Sequence, residues 1–114
     1  MRVTLTLIAS GRRTGQPREV VLYAFPDGDR LIVVGSRGGS PIDPRWAENL
    51  RADPNASIRR GAEPETVHAR EAEGPERDRL WAMVCEAYPM YASFQRRTKR
   101  QIPVFVLEPT AATG

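Results

Sequence analysis

The chain is poor in the residues that staple or metallate small proteins. Its one cysteine, Cys85, leaves no internal disulfide, and its one histidine, His68, leaves no ordinary Cys/His zinc set. No metal site is expected. No apolar run approaches the roughly 20 residues of a membrane helix, so no transmembrane segment is expected. The chain starts with an alternating Val3-Thr4-Leu5-Thr6-Leu7 stretch, where a secretory signal would carry a continuous apolar block. A disulfide scaffold, a zinc finger and a secreted mini-protein are thereby excluded, and the expected compartment is the cytoplasm. Lysine is also scarce: Lys99 is the only one among 17 basic residues, the rest being arginine, and the net charge is +3. A GC-rich coding sequence accounts for the larger part of that bias. Arginine is nevertheless the residue that grips phosphate and carboxylate with a bidentate fork, so its placement matters.

A length of 114 residues implies one domain over 1–114, with a core of about 3–109 and a small-residue tail at 110–114. Ten prolines, roughly twice the usual share, predict short elements and many connections. Alternation over Val3–Ala9 and Arg18–Phe25 predicts two strands, separated by the loop Ser10-Gly11-Arg12-Arg13-Thr14-Gly15-Gln16-Pro17. Pro26-Asp27-Gly28-Asp29 predicts a tight hairpin turn into a third strand, Arg30–Gly35, apolar on both faces and therefore central. A second glycine loop, Ser36-Arg37-Gly38-Gly39-Ser40-Pro41, precedes a helix from Arg45 to about Asp53, with Asp43 expected as its N-cap. Ala56–Arg60 and Glu65–Glu73 read as strands. Glu76–Tyr88 reads as the longest helix, with a core stripe of Leu80, Met83, Val84 and Ala87. Pro89 breaks that helix, Tyr91–Arg97 forms a shorter one, and Val104–Leu107 forms the last strand. The expectation is an α+β chain, mainly β, with about six strands and two or three helices.

Several residues that could carry chemistry have a plainer account. His68 lies on a strand face with Thr66 and Arg70, without an orienting partner in the pattern, and Cys85 sits among apolar helix residues as a small hydrophobe. Glu71, Glu73, Glu76 and Asp78 bracket a helix start, where acids favour the dipole, so capping is the expected role. The run Arg96-Arg97-Thr98-Lys99-Arg100 lacks any RNA-binding or helix-turn-helix signature and reads as a solvated face, so no nucleic-acid partner is expected. Trp46 and Asn49 share one face of the first helix, and Tyr88 and Tyr91 straddle the proline break, where two phenols can pack or line a cleft as hydrogen-bond donors.

Antiparallel pairing of successive strands brings the loop after strand one and the loop after strand three to the same end of the sheet. Arg12, Arg13, Arg18 and Arg37 then surround one rim, with glycine-exposed backbone N–H groups between them and a helix start nearby. Arginine forks, glycine loops and a helix N-terminus are all devices that hold an anion.

In order and spacing, the segments Ser10–Arg18, Gly35–Gly39, Pro44–Pro54, Glu86–Tyr91, Gln95–Thr98 and Ile102–Val104 resemble the deazaflavin-dependent nitroreductase family, from about Leu7 to Pro109. The resemblance implies a split β-barrel of about six antiparallel strands. It also implies an oxidoreductase that binds the deazaflavin F420, an anion with a phosphodiester and an oligoglutamate tail. Arg12, Arg13 and Arg18, in the loop that holds Thr14, Gly15 and Pro17, would hold the tail. Ser36, Arg37, Gly38 and Gly39 would pass close to the phosphate, and Trp46 and Asn49 would border the pocket. By the same resemblance Tyr88, Tyr91 and Ser36 approach the substrate. A third tyrosine of the family pattern falls on Phe94, a departure that bears on nitroimidazole reduction and leaves cofactor binding intact. Relatives carry a helical segment before the first strand, so a strand starting near Met1 implies a more open substrate pocket. The implied reaction moves a hydride from reduced F420 to a small electron-poor acceptor (a quinone, enone or nitro compound), in a monomer or homodimer. Three alternatives stay open: F420 binding without turnover, a flavin mononucleotide (FMN) protein, and a basic anion-binding module.

Overall fold

The computed structural model describes residues 2–110, so the small-residue tail expected at 110–114 lies, past Thr110, outside the described residues. The strands are β1 (Val3–Ser10), β2 (Pro17–Asp27), β3 (Arg30–Val34), β4 (Asn55–Arg59), β5 (Pro64–Glu71) and β6 (Val104–Pro109). The helices are α1 (Arg45–Ala52), α2 (Gly74–Ala87) and α3 (Met90–Arg96), with a single 3₁₀ turn at Arg37–Gly39. All strand pairs are antiparallel and close into a barrel in the order β1-β2-β3-β6-β5-β4, β4 returning to β1. The expected mainly-β chain with six strands is what the structure contains.

Local sequence explains the turns. Gly28 has a φ of 65° at the first central position of the two-residue β2–β3 turn, where an L-residue with a Cβ would be strained. Along β1, Leu5, Leu7 and Ala9 are buried and point into the barrel, while the intervening residues are more exposed. The interior core also takes Leu31, Val33, Ile58, Val67, Phe105 and Leu107, and α1 plugs one end with Trp46, Ala47 and Leu50. A second core lies outside the barrel wall, where α2 and α3 cover the other faces of β3 and β6: Ile32, Val34, Val104 and Val106 meet Leu80, Val84 and Tyr91. β3 and β6 are therefore buried on both sides, the reason Leu31-Ile32-Val33-Val34 shows no polar alternation. Truncating a fully buried side chain such as Leu7 costs about 2–5 kcal/mol.

The structure corrects two local expectations. Asp43 does not cap α1: Pro44 occupies the N-cap position, and the Asp43 carboxylate accepts instead from Arg51 Nη1 at 2.6 Å and Arg100 Nη1 at 2.7 Å. The acids near α2 are ion-pair partners more than caps, since Glu76 binds Arg70 and Arg30, Glu71 binds Arg51, and Glu73 at the N-cap makes no side-chain cap bond. Charge-assisted bonds to guanidinium outcompete the weaker attraction of a helix end. The expected α2 stripe packs as read, Leu80 and Val84 fully buried with Met83 and Ala87 half-buried against them, and Arg77 is buried as well, donating from Nη2 to Ile102 O at 2.7 Å.

Candidate functional site

A cleft of about 1130 Å³ opens at the barrel end where the β1–β2 loop, the β3–α1 loop and the start of α1 meet. Of the residues expected from sequence, Arg12, Arg13, Thr14, Arg18, Ser36, Arg37, Trp46, Asn49, Tyr88 and Tyr91 line it. The volume is at the upper end for small-molecule sites, large enough for an extended ligand. Gly15, Pro17, Gly38 and Gly39 do not line it. Gly15, with a φ of 73°, closes the β1–β2 loop by donating to Gly11 O at 2.7 Å, and Pro17 starts β2. Gly39 packs under α3, where an added Cβ would lie 2.8 Å from Phe94 O. That glycine permits close approach of loop and helix.

Two polar devices set the shape of the rim. Asn49 is buried, and its Oδ1 accepts from the Arg12 backbone N–H at 3.0 Å and from Arg12 Nη1 at 3.4 Å, tying the β1–β2 loop to α1. Across the cleft, Arg37 has a φ of 45°, followed by Gly38 at 64° and Gly39 at 85°. A left-handed arginine costs roughly 1–2 kcal/mol, so the loop has to be held in place from outside.

The rim is cationic. Arg13, Arg18, Arg37 and Arg45 line it with no carboxylate partner among the described residues, and Arg12 has Glu48 at 3.4 Å, a long contact. Glu19 is the one acid in the lining, and it is engaged by Arg59 Nη2 at 3.2 Å. Another part of the lining is aromatic. Tyr91 is buried, with its ring edge-on to Tyr88 at 4.9 Å and to Phe25 at 5.8 Å. Burial pushes its phenol up to about 12, so it stays protonated and able to donate at neutral pH. Tyr88 packs edge-on to Tyr23 at 5.8 Å, and the Arg2 guanidinium lies 4.5 Å over the Tyr23 ring. Phe94 completes this wall.

Tyr23 and Arg45 belong to the lining and were not singled out from sequence. Alternation along β2 places Tyr23 on the outward face with Val21, and position one of α1 places Arg45 beside the rim, so both signals were present locally. Arg100 was read as part of a solvated run, and this too is corrected: its guanidinium is drawn in by the backbone of the β3–α1 loop.

A cationic rim and an aromatic wall in one cleft suit a planar ring carrying an anionic tail, and the family comparison names such a group. The model of the F420H2-dependent quinone reductases matches residues 1–109. The chain belongs to that family. It is accordingly an oxidoreductase with F420 as its cofactor, in agreement with the resemblance read from the sequence. An F420H2-dependent quinone reductase of Mycobacterium tuberculosis is 39% identical over 107 residues, covering 91% of this chain and 72% of its own. Among solved structures, an F420-H2 dependent reductase (FDR-A) superposes with a TM-score of 0.83 at 37% identity, covering 92% of this chain and 93% of that one. A chain described as a domain-swapped dimer superposes at 0.84 with 37% identity, covering 92% and 79%. The F420H2-dependent reductase fold thus holds over nearly the whole described chain, as the split-barrel expectation required.

Proposed function

We propose that the cleft holds F420 with its anionic tail on Arg12, Arg13, Arg18 and Arg37, its ring beside Trp46 and the tyrosine wall, and a quinone as acceptor. The observation that carries this reading is the cluster of arginines, without carboxylate partners among the described residues, in one cleft with the aromatic rings of Trp46, Tyr88 and Tyr91. These residues fit the cofactor: guanidinium forks match phosphate and carboxylate, and the ring wall offers an apolar face. Asn49 fixes the β1–β2 loop so that Arg12 and Arg13 need little reorganisation on binding. When bound, the reduced deazaflavin supplies the hydride.

The chain's own task is then to position the acceptor and manage charge. As an acceptor carbonyl gains a hydride, negative charge grows on its oxygen. A protonated phenol within reach donates a hydrogen bond, or the proton itself. Tyr91, held neutral by burial, suits that role; Tyr88 and the Ser36 hydroxyl, which also line the cleft, position the acceptor. Phe94 offers no hydroxyl, which favours a quinone over a nitro compound as acceptor. The protein acts in the cytoplasm as a monomer or homodimer, without a nucleic-acid partner. Among the described residues no helix is long and apolar enough to cross a membrane.

Parallel titration with F420 and FMN, followed by fluorescence, tests the cofactor site: F420 binding much the tighter is expected, and tight FMN binding with none for F420 overturns it. Tyr91→Phe is expected to lower kcat with a quinone by about 10²-fold while leaving F420 affinity nearly unchanged. Wild-type turnover in that variant would reduce Tyr91 to packing.

A further inference from the structure

We propose that Arg100, which lies outside the cleft lining, is the positioning residue that holds Arg37 in its left-handed conformation and so aims it at the cofactor's anionic tail. The proposal rests on the reading that the rim binds that tail. Arg100 Nη1 donates to Gly35 O at 3.2 Å, Nη2 donates to Ser36 O at 2.8 Å, and Nε donates to Ser40 O at 2.8 Å. One planar guanidinium thereby grips the chain on both sides of the turn formed by Arg37, Gly38 and Gly39. These are the three successive residues with positive φ. The Arg37 side chain is exposed and makes no hydrogen bond among the described residues that would hold it there. Within the turn, the Gly39 N–H donates to Ser36 O at 2.9 Å and the Ser40 N–H donates to Arg37 O at 3.1 Å, so the carbonyl that Arg100 holds is also an acceptor of the turn.

The clamp is itself anchored. Asp43 Oδ1 accepts from Arg100 Nη1 at 2.7 Å while Oδ2 accepts from Arg51, which in turn grips Glu71 on β5. The Arg100 side chain is only 14% exposed, and the Asp43 side chain 19%. From the other direction, Gln95 Nε2 donates to Arg100 O at 2.7 Å and Gln95 Oε1 accepts from the Ile102 N–H at 3.0 Å, fixing the segment that carries Arg100. A lysine at this position is a point charge and cannot span carbonyls on both sides of the turn.

The experiment is a double-mutant cycle read in F420 affinity. Arg100→Lys is expected to weaken F420 binding about tenfold in the wild-type background and by less than about twofold in the Arg37→Ala background, because the clamp acts through Arg37. An undiminished loss in the Arg37→Ala background overturns the proposal, since a general structural role would be additive. Without cofactor, amide hydrogen exchange at Gly39 and Ser40 should quicken in Arg100→Lys while the β3 and β6 amides keep their protection; unchanged exchange at those two amides also overturns it. Asp43→Asn loosens the guanidinium without removing it and gives the same cycle if Arg100→Lys does not fold. Arg37→Ala that weakens F420 binding beside an Arg100→Lys of wild-type affinity sinks the clamp alone, whereas F420 affinity unmoved by Arg37→Ala sinks the rim reading as well.

Discussion

At the β2–β3 turn the arginines are saturated with carboxylate, while at the cleft they are not. Arg70 grips Glu76 at 2.6 Å and Glu108 at 3.1 Å, Arg79 reaches Asp27 at 3.0 Å, and Arg30 bridges Asp27 and Glu76. Around the cleft, Arg13, Arg18, Arg37 and Arg45 have no such partner among the described residues. The same residue type therefore does two jobs. Paired arginines join α2 to the barrel; the unpaired ones, on the proposed reading, offer their forks to the cofactor's anionic tail. Net charge alone would not reveal this division, because the excess positive charge is local.

Removing cations from the cleft should break the comparison most visibly in binding. Arg13→Ala combined with Arg37→Ala is expected to weaken F420 affinity by about 10²-fold or more, since a charge-assisted hydrogen bond is worth about 1.5–3 kcal/mol. Its salt dependence should flatten, because fewer screened charges remain, and the thermal midpoint should hardly move. Calorimetric titration at two ionic strengths together with a melting curve checks all three.

The paired end should respond in stability instead. Arg79 and Arg30 hold the Asp27 carboxyl down at about 2, and Arg70, helped by Arg30, does the same for Glu76. Folded-state values below the ordinary 3.8 and 4.5 mean that this stabilisation is complete above those values and is lost as pH falls through them toward 2. Thermal melts of Glu76→Gln should show a loss of about 1 kcal/mol at neutral pH, unchanged F420 affinity, and a shallower decline than wild type between pH 4.5 and about 2. An equal decline would mean the network contributes nothing to the fold. The smallest effect is expected at Arg60, whose pair with Glu65 is open to solvent, each side chain being 45% exposed. Arg60→Ala should shift stability by less than about 0.5 kcal/mol and leave F420 binding alone. A larger change would show that exposed pairs also matter to this barrel.

Much of this was legible in the sequence where the cause is local. Period-two alternation marked β1 and β2, Gly28 marked the hairpin, and the doubly apolar Leu31–Val34 marked a strand covered on both faces. Strand direction alone then brought the β1–β2 and β3–α1 loops to one end, which is where the cleft lies. Long-range partners were not legible. Asp43 looked like a cap because Asp-Pro is a common helix start, yet Arg100, 57 positions later, takes its carboxylate. Arg100 sat in a basic run whose local composition says solvent, and only closure of the barrel shows three carbonyls waiting for it. Gly39 was expected at a phosphate, and its close approach in the fold is to Phe94 O of α3. Such signals depend on which surfaces meet, and residue spacing does not carry that information.

The position of β6 in the sheet also affects how the protein is made. This strand is the last of the six described strands in chain order, yet it lies between β3 and β5 and supplies Phe105 and Leu107 to the interior. On the ribosome, β1, β2 and β3 can pair as they emerge, but their wall has no partner for the free side of β3 until Val104–Pro109 has left the exit tunnel. Until then the apolar edge at Leu31–Val34 stays open, and barrel closure has to follow synthesis of nearly the whole domain.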